Sequence, residues 1–131
     1  MCLRLTLSGF SAYSRLPSAR EIAAASGLRV RRLFDMHGPA FQLFNYDEDC
    51  GCYLLAYPHL VGNELWLFEP DRLSNIEAAL TFAASHADSF VFSALHTDEA
   101  AKTTTPMTLP DLLFVVAENR IQNRVDYVVR G

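Results

Sequence analysis

The chain has 131 residues, of which half are apolar and a fifth are charged. This is the commonest size for one domain, and this composition excludes a disordered or fibrous chain. We therefore expect a single domain over residues 1–131, built around one hydrophobic core.

The net charge of −4 is unevenly distributed along the chain. Residues 1–40 carry six arginines against two acids, whereas residues 41–119 carry twelve acids against two basic residues. Uneven charge steers partners of opposite sign towards a protein. The acidic middle therefore favours a basic partner, with ion pairing between the two parts of the chain as the alternative.

The apolar stretches and the cysteines indicate the cellular compartment of the protein. The apolar run from Leu112 to Ala117 is far shorter than the roughly 20 residues that a transmembrane helix needs. Polar residues interrupt the apolar start of the chain, unlike a secretion signal. The three cysteines cannot form a disulfide framework. We expect a cytoplasmic protein with reduced thiols and no membrane contact.

The first third of the chain predicts a strand, a helix and a second strand. Leucines alternate with polar residues over residues 2–8, which is typical of a half-buried strand. Ser18 and Glu21 have the spacing of a capping box, so we expect a helix there that ends at Gly27. Broken alternation over residues 28–34 favours a strand.

The middle of the chain predicts an antiparallel meander. Its three strands are expected over residues 41–46, 52–57 and 64–68. Polar residues at 47–49 and the pair Gly62-Asn63 provide the turns between them.

The last part of the chain predicts two further helices and two further strands. A second capping box at Ser74 and Glu77 is expected to start a helix with one apolar stripe. The residues expected on that stripe are Ile76, Ala79, Leu80 and Ala83. Strands are expected over residues 89–95 and 124–130, an exposed loop over residues 98–106, and a helix after Thr108.

Several strands follow one another before a helix intervenes, and strands joined by tight turns are antiparallel. This order favours an α+β fold over a doubly wound parallel sheet. We expect a mainly antiparallel sheet of six or seven strands, with three helices packed on one face.

Residues 18–34 suggest one alternative function. The positions of Ala23, Gly27 and Leu33 resemble those of bacterial helix-turn-helix motifs. The resemblance implies that a second helix would present arginines 29, 31 and 32 to the major groove of DNA. A strand is our preferred interpretation of the same residues, and nucleic-acid binding is not expected.

The cysteines suggest a second alternative, a small enzyme. Cys2 could act as an N-terminal nucleophile if Met1 is removed, as in the amidotransferase class that begins Met-Cys-Gly. Cys50 and Cys52 could form a thiol pair. Without a second ligand pair we expect no metal, and the sequence indicates no cofactor and no catalytic residue.

Acidic and aromatic residues alternate around the meander, and this composition is typical of protein-binding surfaces. We therefore expect a non-enzymatic protein-binding module. In size, charge and compartment it is comparable with bacterial immunity proteins, which neutralise a basic toxin or enzyme. Its oligomeric state stays open. The residues expected to contact the partner are Asp47, Glu48, Asp49, Glu64, Glu69, Trp66, Asp98 and Glu99.

Overall fold

The computed structural model describes residues 3–13, 15–34, 38–45 and 51–130. These residues form eight strands and three α-helices. The strands are β1 (Leu3–Ser11), β2 (Arg29–Leu33), β3 (Ala40–Phe44), β4 (Leu55–Val61), β5 (Leu65–Phe68), β6 (Ser89–His96), β7 (Thr103–Thr108) and β8 (Val125–Arg130). The helices are α1 (Ala19–Ser26), α2 (Leu73–Ala84) and α3 (Leu109–Ala117).

Six strands form one sheet in the order β2-β3-β1-β6-β8-β7, and β4 pairs with β5 in a separate hairpin. All neighbours in the large sheet are antiparallel except β7 and β8, which are parallel and joined through α3. The mainly antiparallel α+β fold expected from the sequence is confirmed.

Strand β1 shows why the sheet has one apolar face. Leu3, Leu5 and Leu7 are 0% exposed and belong to the main core. Because side chains alternate across a strand, Arg4 and Thr6 lie on the opposite face. The alternation that predicted the strand therefore also sets which face is covered.

The three helices form a row over the apolar face, because α1 contacts α2 and α2 contacts α3. Helix α1 begins with the expected capping box, in which the Ser18 hydroxyl accepts from the Glu21 amide and the Glu21 carboxylate accepts from the Ser18 amide. Gly27 ends this helix in the left-handed conformation, with φ of 73°. The cap of α3 is also confirmed, since the Thr108 hydroxyl accepts from the Asp111 amide.

The predicted start of α2 is wrong. The helix begins at Leu73, directly after a 3-10 turn over Pro70–Arg72, so Ser74 lies inside it and caps nothing. The expected apolar stripe is confirmed, because all four of its members, Ile76, Ala79, Leu80 and Ala83, are 0% exposed.

Two further predictions are corrected. The meander is not continuous, because β3 joins the large sheet beside β1 and β2 whereas β4 and β5 pair with each other. The expected loop over residues 98–106 contains the start of strand β7. That strand lies at the sheet edge, where polar residues and Pro106 are tolerated because one side of its backbone needs no strand partner.

No helix in the described part of the chain is long and apolar enough to cross a membrane.

Candidate functional site

The hairpin of β4 and β5 carries the most exposed aromatic side chain of the described residues. Tyr57 is 91% exposed, and Tyr53 and Val61, on the same nine residues of chain, are 58% and 50% exposed. We call Tyr53, Tyr57 and Val61 the tyrosine surface. Single exposed apolar side chains are ordinary, but several on one short stretch of chain make this stretch the candidate for an interaction site.

The hairpin is held firmly against the rest of the fold. The Trp66 indole donates to the Ala94 carbonyl at 2.9 Å, and the Trp66 amide donates to the Ile121 carbonyl at 2.9 Å. The Asn119 side chain donates to the carbonyl and accepts from the amide of Phe68, at 2.9 and 3.1 Å. The tyrosine surface therefore lies on an anchored element.

Trp66 itself is not part of a surface. Its side chain is only 2% exposed and packs in the main core, because its ring contacts His96 and its indole is satisfied by a strand carbonyl. The expectation that Trp66 contacts a partner is therefore corrected to a structural role. The exposed aromatic side chains here are Tyr57 on β4 and Tyr53 in the 3-10 turn Gly51–Leu54 directly before β4.

The acids expected at the interface differ in their surroundings. Glu69 and Asp98 are exposed and make no ion pair within the described ranges. Glu99 is half-buried, and its Oε2 lies 3.1 Å from Nε of Arg124. Asp98 and Glu69 can therefore attract a partner directly, whereas Glu99 holds the end of the sheet together.

Glu64 is exposed but lies among cations. It lines a cavity of about 410 Å³ together with Lys102, Arg120 and Arg124. The local charge there is positive despite the net charge of the chain. Glu64 is thus a weaker attractor for a basic partner than the sequence indicated.

Asp47, Glu48 and Asp49, the tip of the predicted meander, lie outside the described residues, as do Cys2 and Cys50. The roles expected for the three acids stay predictions.

The arginines 29, 31 and 32 lie on a strand, so the helix-turn-helix alternative is wrong. Strand β2 pairs with β3 along its whole length and has no groove-reading helix. The Arg31 guanidinium stacks 5.1 Å from the ring centre of Phe44, and that of Arg32 lies 5.8 Å from the ring centre of Phe41. Alternation places Arg32 on the opposite face from Arg29 and Arg31, so the three arginines do not form the single helical surface that the resemblance implied.

The face of the sheet opposite the helices carries a polar row. Thr6, Ser93 and Asp126 are register neighbours on β1, β6 and β8, and the hydroxyls of Thr6 and Ser93 are 2.8 Å apart. Burial raises the pKa of the Asp126 carboxyl, and a hydrogen bond with Ser93 lowers it in part. These groups satisfy one another, so the row is first of all structural.

A cleft that sequence reasoning missed lies between the hairpin and the end of the large sheet. Cys52, His59 and His96 line this cavity of about 220 Å³. His96 is distant in the sequence from Cys52 and His59, so only the fold brings it to the same cleft. No group of three or more His, Cys, Asp or Glu side chains suited to a metal ion occurs among the residues that the structure describes.

Comparison with known proteins found no matching family model, no similar curated protein and no similar solved structure.

Proposed function

We propose that this protein is a protein-binding module that contacts a basic partner through its hairpin. The observation that carries the proposal is the tyrosine surface, where Tyr57 is 91% exposed on an anchored element. Burying such side chains at an interface removes apolar area from water without first ordering a mobile segment. Tyrosine is also among the residues that contribute most to binding energy.

Charge supports a basic partner. The net charge is −4, Glu69 follows β5 on the hairpin, and Asp47, Glu48 and Asp49 precede the hairpin in the chain. A basic toxin or enzyme that this protein inhibits is the kind of partner we propose. Exposed acids at the rim would accelerate association, and the tyrosines would slow dissociation.

The test is capture of a partner by immobilised protein from an extract of the source cell. Wild type is compared with Y53S/Y57S and with F114S as matched control. Phe114 is 67% exposed on α3, so its replacement removes a similar exposed ring from another element. We expect a basic protein to bind wild type and F114S, and to bind the double variant at least about 30-fold more weakly, which corresponds to ~2 kcal/mol.

The charge component is tested separately with the purified partner. The variant D47N/E48Q/D49N should associate several-fold more slowly at low ionic strength, with a flatter dependence on salt and an unchanged dissociation rate. Equal retention of every captured protein by wild type and Y53S/Y57S would contradict the proposed surface.

A further inference from the structure

Strand β2 lies at one edge of the large sheet and, in the part of the chain that the structure describes, pairs with β3 alone. In an edge strand, every second N–H and C=O points away from the partner strand, and these groups can pair with another extended chain. The opposite edge, β7, contains Pro106, which lacks an N–H, whereas β2 contains no proline. The β2 edge is therefore the one that keeps all its backbone donors for a further strand.

The side chains of β2 make this edge basic. Three of its five residues, Arg29, Arg31 and Arg32, are exposed arginines. Arg32 lies on the helix side of the sheet, because its register partner Phe41 belongs to the core, and alternation places Arg29 and Arg31 on the other side. Within the described ranges, neither Arg31 nor Arg32 forms an ion pair with an acid. A strand added at this edge would meet a guanidinium group on each face.

Aromatic rings hold two of these guanidinium groups in place. That of Arg31 lies 5.1 Å from the ring centre of Phe44, and its Nη2 donates to Oε1 of Gln42 at 3.4 Å. That of Arg32 lies 5.8 Å from the ring centre of Phe41. An aromatic ring covers the flat face of a guanidinium group and leaves most N–H donors at its rim, where carboxylates bind. Both arginines therefore need little further ordering to bind an acid.

Charged side chains on an edge strand also prevent pairing between copies of a protein, which is the other explanation of these arginines. Two copies of β2 would bring like charges together, so the arginines exclude self-pairing and favour a strand of opposite charge. Phe34, directly after β2, is 86% exposed, and protection of an edge does not require an exposed ring. Its ring centre lies 5.7 Å from the Arg32 guanidinium. Arginine beside an aromatic ring is typical of protein-binding surfaces.

We propose that the β2 edge binds an acidic, extended peptide segment of a partner protein, which adds to the large sheet as a further strand. Backbone hydrogen bonds provide the affinity, and carboxylates that meet Arg31 and Arg32 select the segment. Because these two arginines lie on opposite faces, the segment needs acids at two neighbouring positions. The site is separate from the tyrosine surface, so the contact proposed for the hairpin and this one can each fail alone.

The test measures the fluorescence anisotropy of a labelled synthetic peptide, Thr-Val-Glu-Glu-Val-Thr, added to the full chain. We expect R31Q/R32Q to bind it at least about tenfold more weakly than wild type, since both charge-assisted contacts are lost. The matched control is R120Q/R130Q, which removes two exposed arginines from other elements and changes the net charge equally. A peptide in which prolines replace both valines keeps the acids but loses two N–H donors, and it should bind at least about tenfold more weakly to wild type.

Hydrogen exchange of the unmutated protein locates the peptide without relying on a variant. Saturating peptide should slow exchange at alternate amides of β2 and leave the amides of β7 unchanged, because the two strands form opposite edges of the sheet. Lack of binding by wild type, equal binding by R31Q/R32Q, equal binding of the proline peptide, or protection of β7 instead of β2 would each overturn the proposal.

Discussion

The apolar face of the large sheet has two covers, and they are built differently. The helices cover it with side chains such as Ile22, Ile76 and Leu80, which are 0% exposed. The hairpin covers the end near Leu3 and His96 with buried Trp66 and Phe68 and is fixed there by a few directional hydrogen bonds. Beside these contacts it leaves a cleft and the exposed tyrosine surface. The helices thus bury the apolar face completely, whereas the hairpin leaves polar groups and large side chains accessible beside its contacts.

The largest difference in stability between the helices and the hairpin is expected from the replacement of Leu80. Replacing it by Ala leaves a cavity under α2 and should lower the free energy of unfolding by about 2–5 kcal/mol. The matched change in the hairpin is V61A, where the side chain is 50% exposed and the loss should stay within about 0.5 kcal/mol. Urea denaturation followed by circular dichroism measures both, and equal losses would remove the contrast between the covers.

Asn119 tests whether the hairpin is held by hydrogen bonds. N119A removes both contacts with the Phe68 backbone and should cost about 1–3 kcal/mol. Hydrogen exchange should rise in β5 before it rises in α2. The control is N63A, since Asn63 shares the left-handed backbone, with φ of 59° against 57°, but lies in an exposed turn. If N63A loosens the hairpin equally, backbone strain rather than the side-chain bonds holds it.

The residues that cap the helices should contribute less to the free energy of unfolding than the buried side chains do. S18A removes the acceptor of the Glu21 amide and should cost about 1 kcal/mol. S74A, inside α2, should cost nothing or stabilise the helix slightly, because alanine is the best helix former. Thermal unfolding of the two variants distinguishes a capping serine from one inside a helix. A loss of stability in S74A would indicate that Ser74 caps α2 after all.

The smallest expected effect concerns pH and again lies in the helical cover. A hydrogen bond from Arg15, then one from Ser18, lowers the pKa of Glu21 to about 2. A carboxylate with a lowered pKa contributes stability above its unfolded value near 4.3, and this contribution disappears as the pH falls towards 2. E21Q should therefore flatten the pH dependence of stability in this window. Because the pair is exposed, the difference should shrink with added salt.

Local patterns were sufficient for the elements that depend on near neighbours. The alternation in β1, the capping box at Ser18 and the cap at Thr108 were readable because each involves residues at most a few positions apart. The same is true of the buried stripe of α2. The α+β class followed from the order of these elements along the chain.

Partner choice between strands was decided only in the folded chain. The sequence around residues 41–46 predicted that β3 pairs with β4, whereas β3 lies between β2 and β1. Local sequence does not show this, because the pairing involves a strand that is distant along the chain. The polar residues of β7 form a strand only because β8 offers a free edge.

The candidate site divides in the same way. The sequence indicated acidic and aromatic residues around the meander and named Trp66 as a contact. The burial of Trp66 and the exposure of Tyr53 and Tyr57 were decided by how the hairpin packs. Cys52 and His96 are 44 positions apart, so their common cleft exists only because β1 connects the two through Leu3. Short-range patterns determine local structure, whereas burial and long-range contacts are properties of the whole fold.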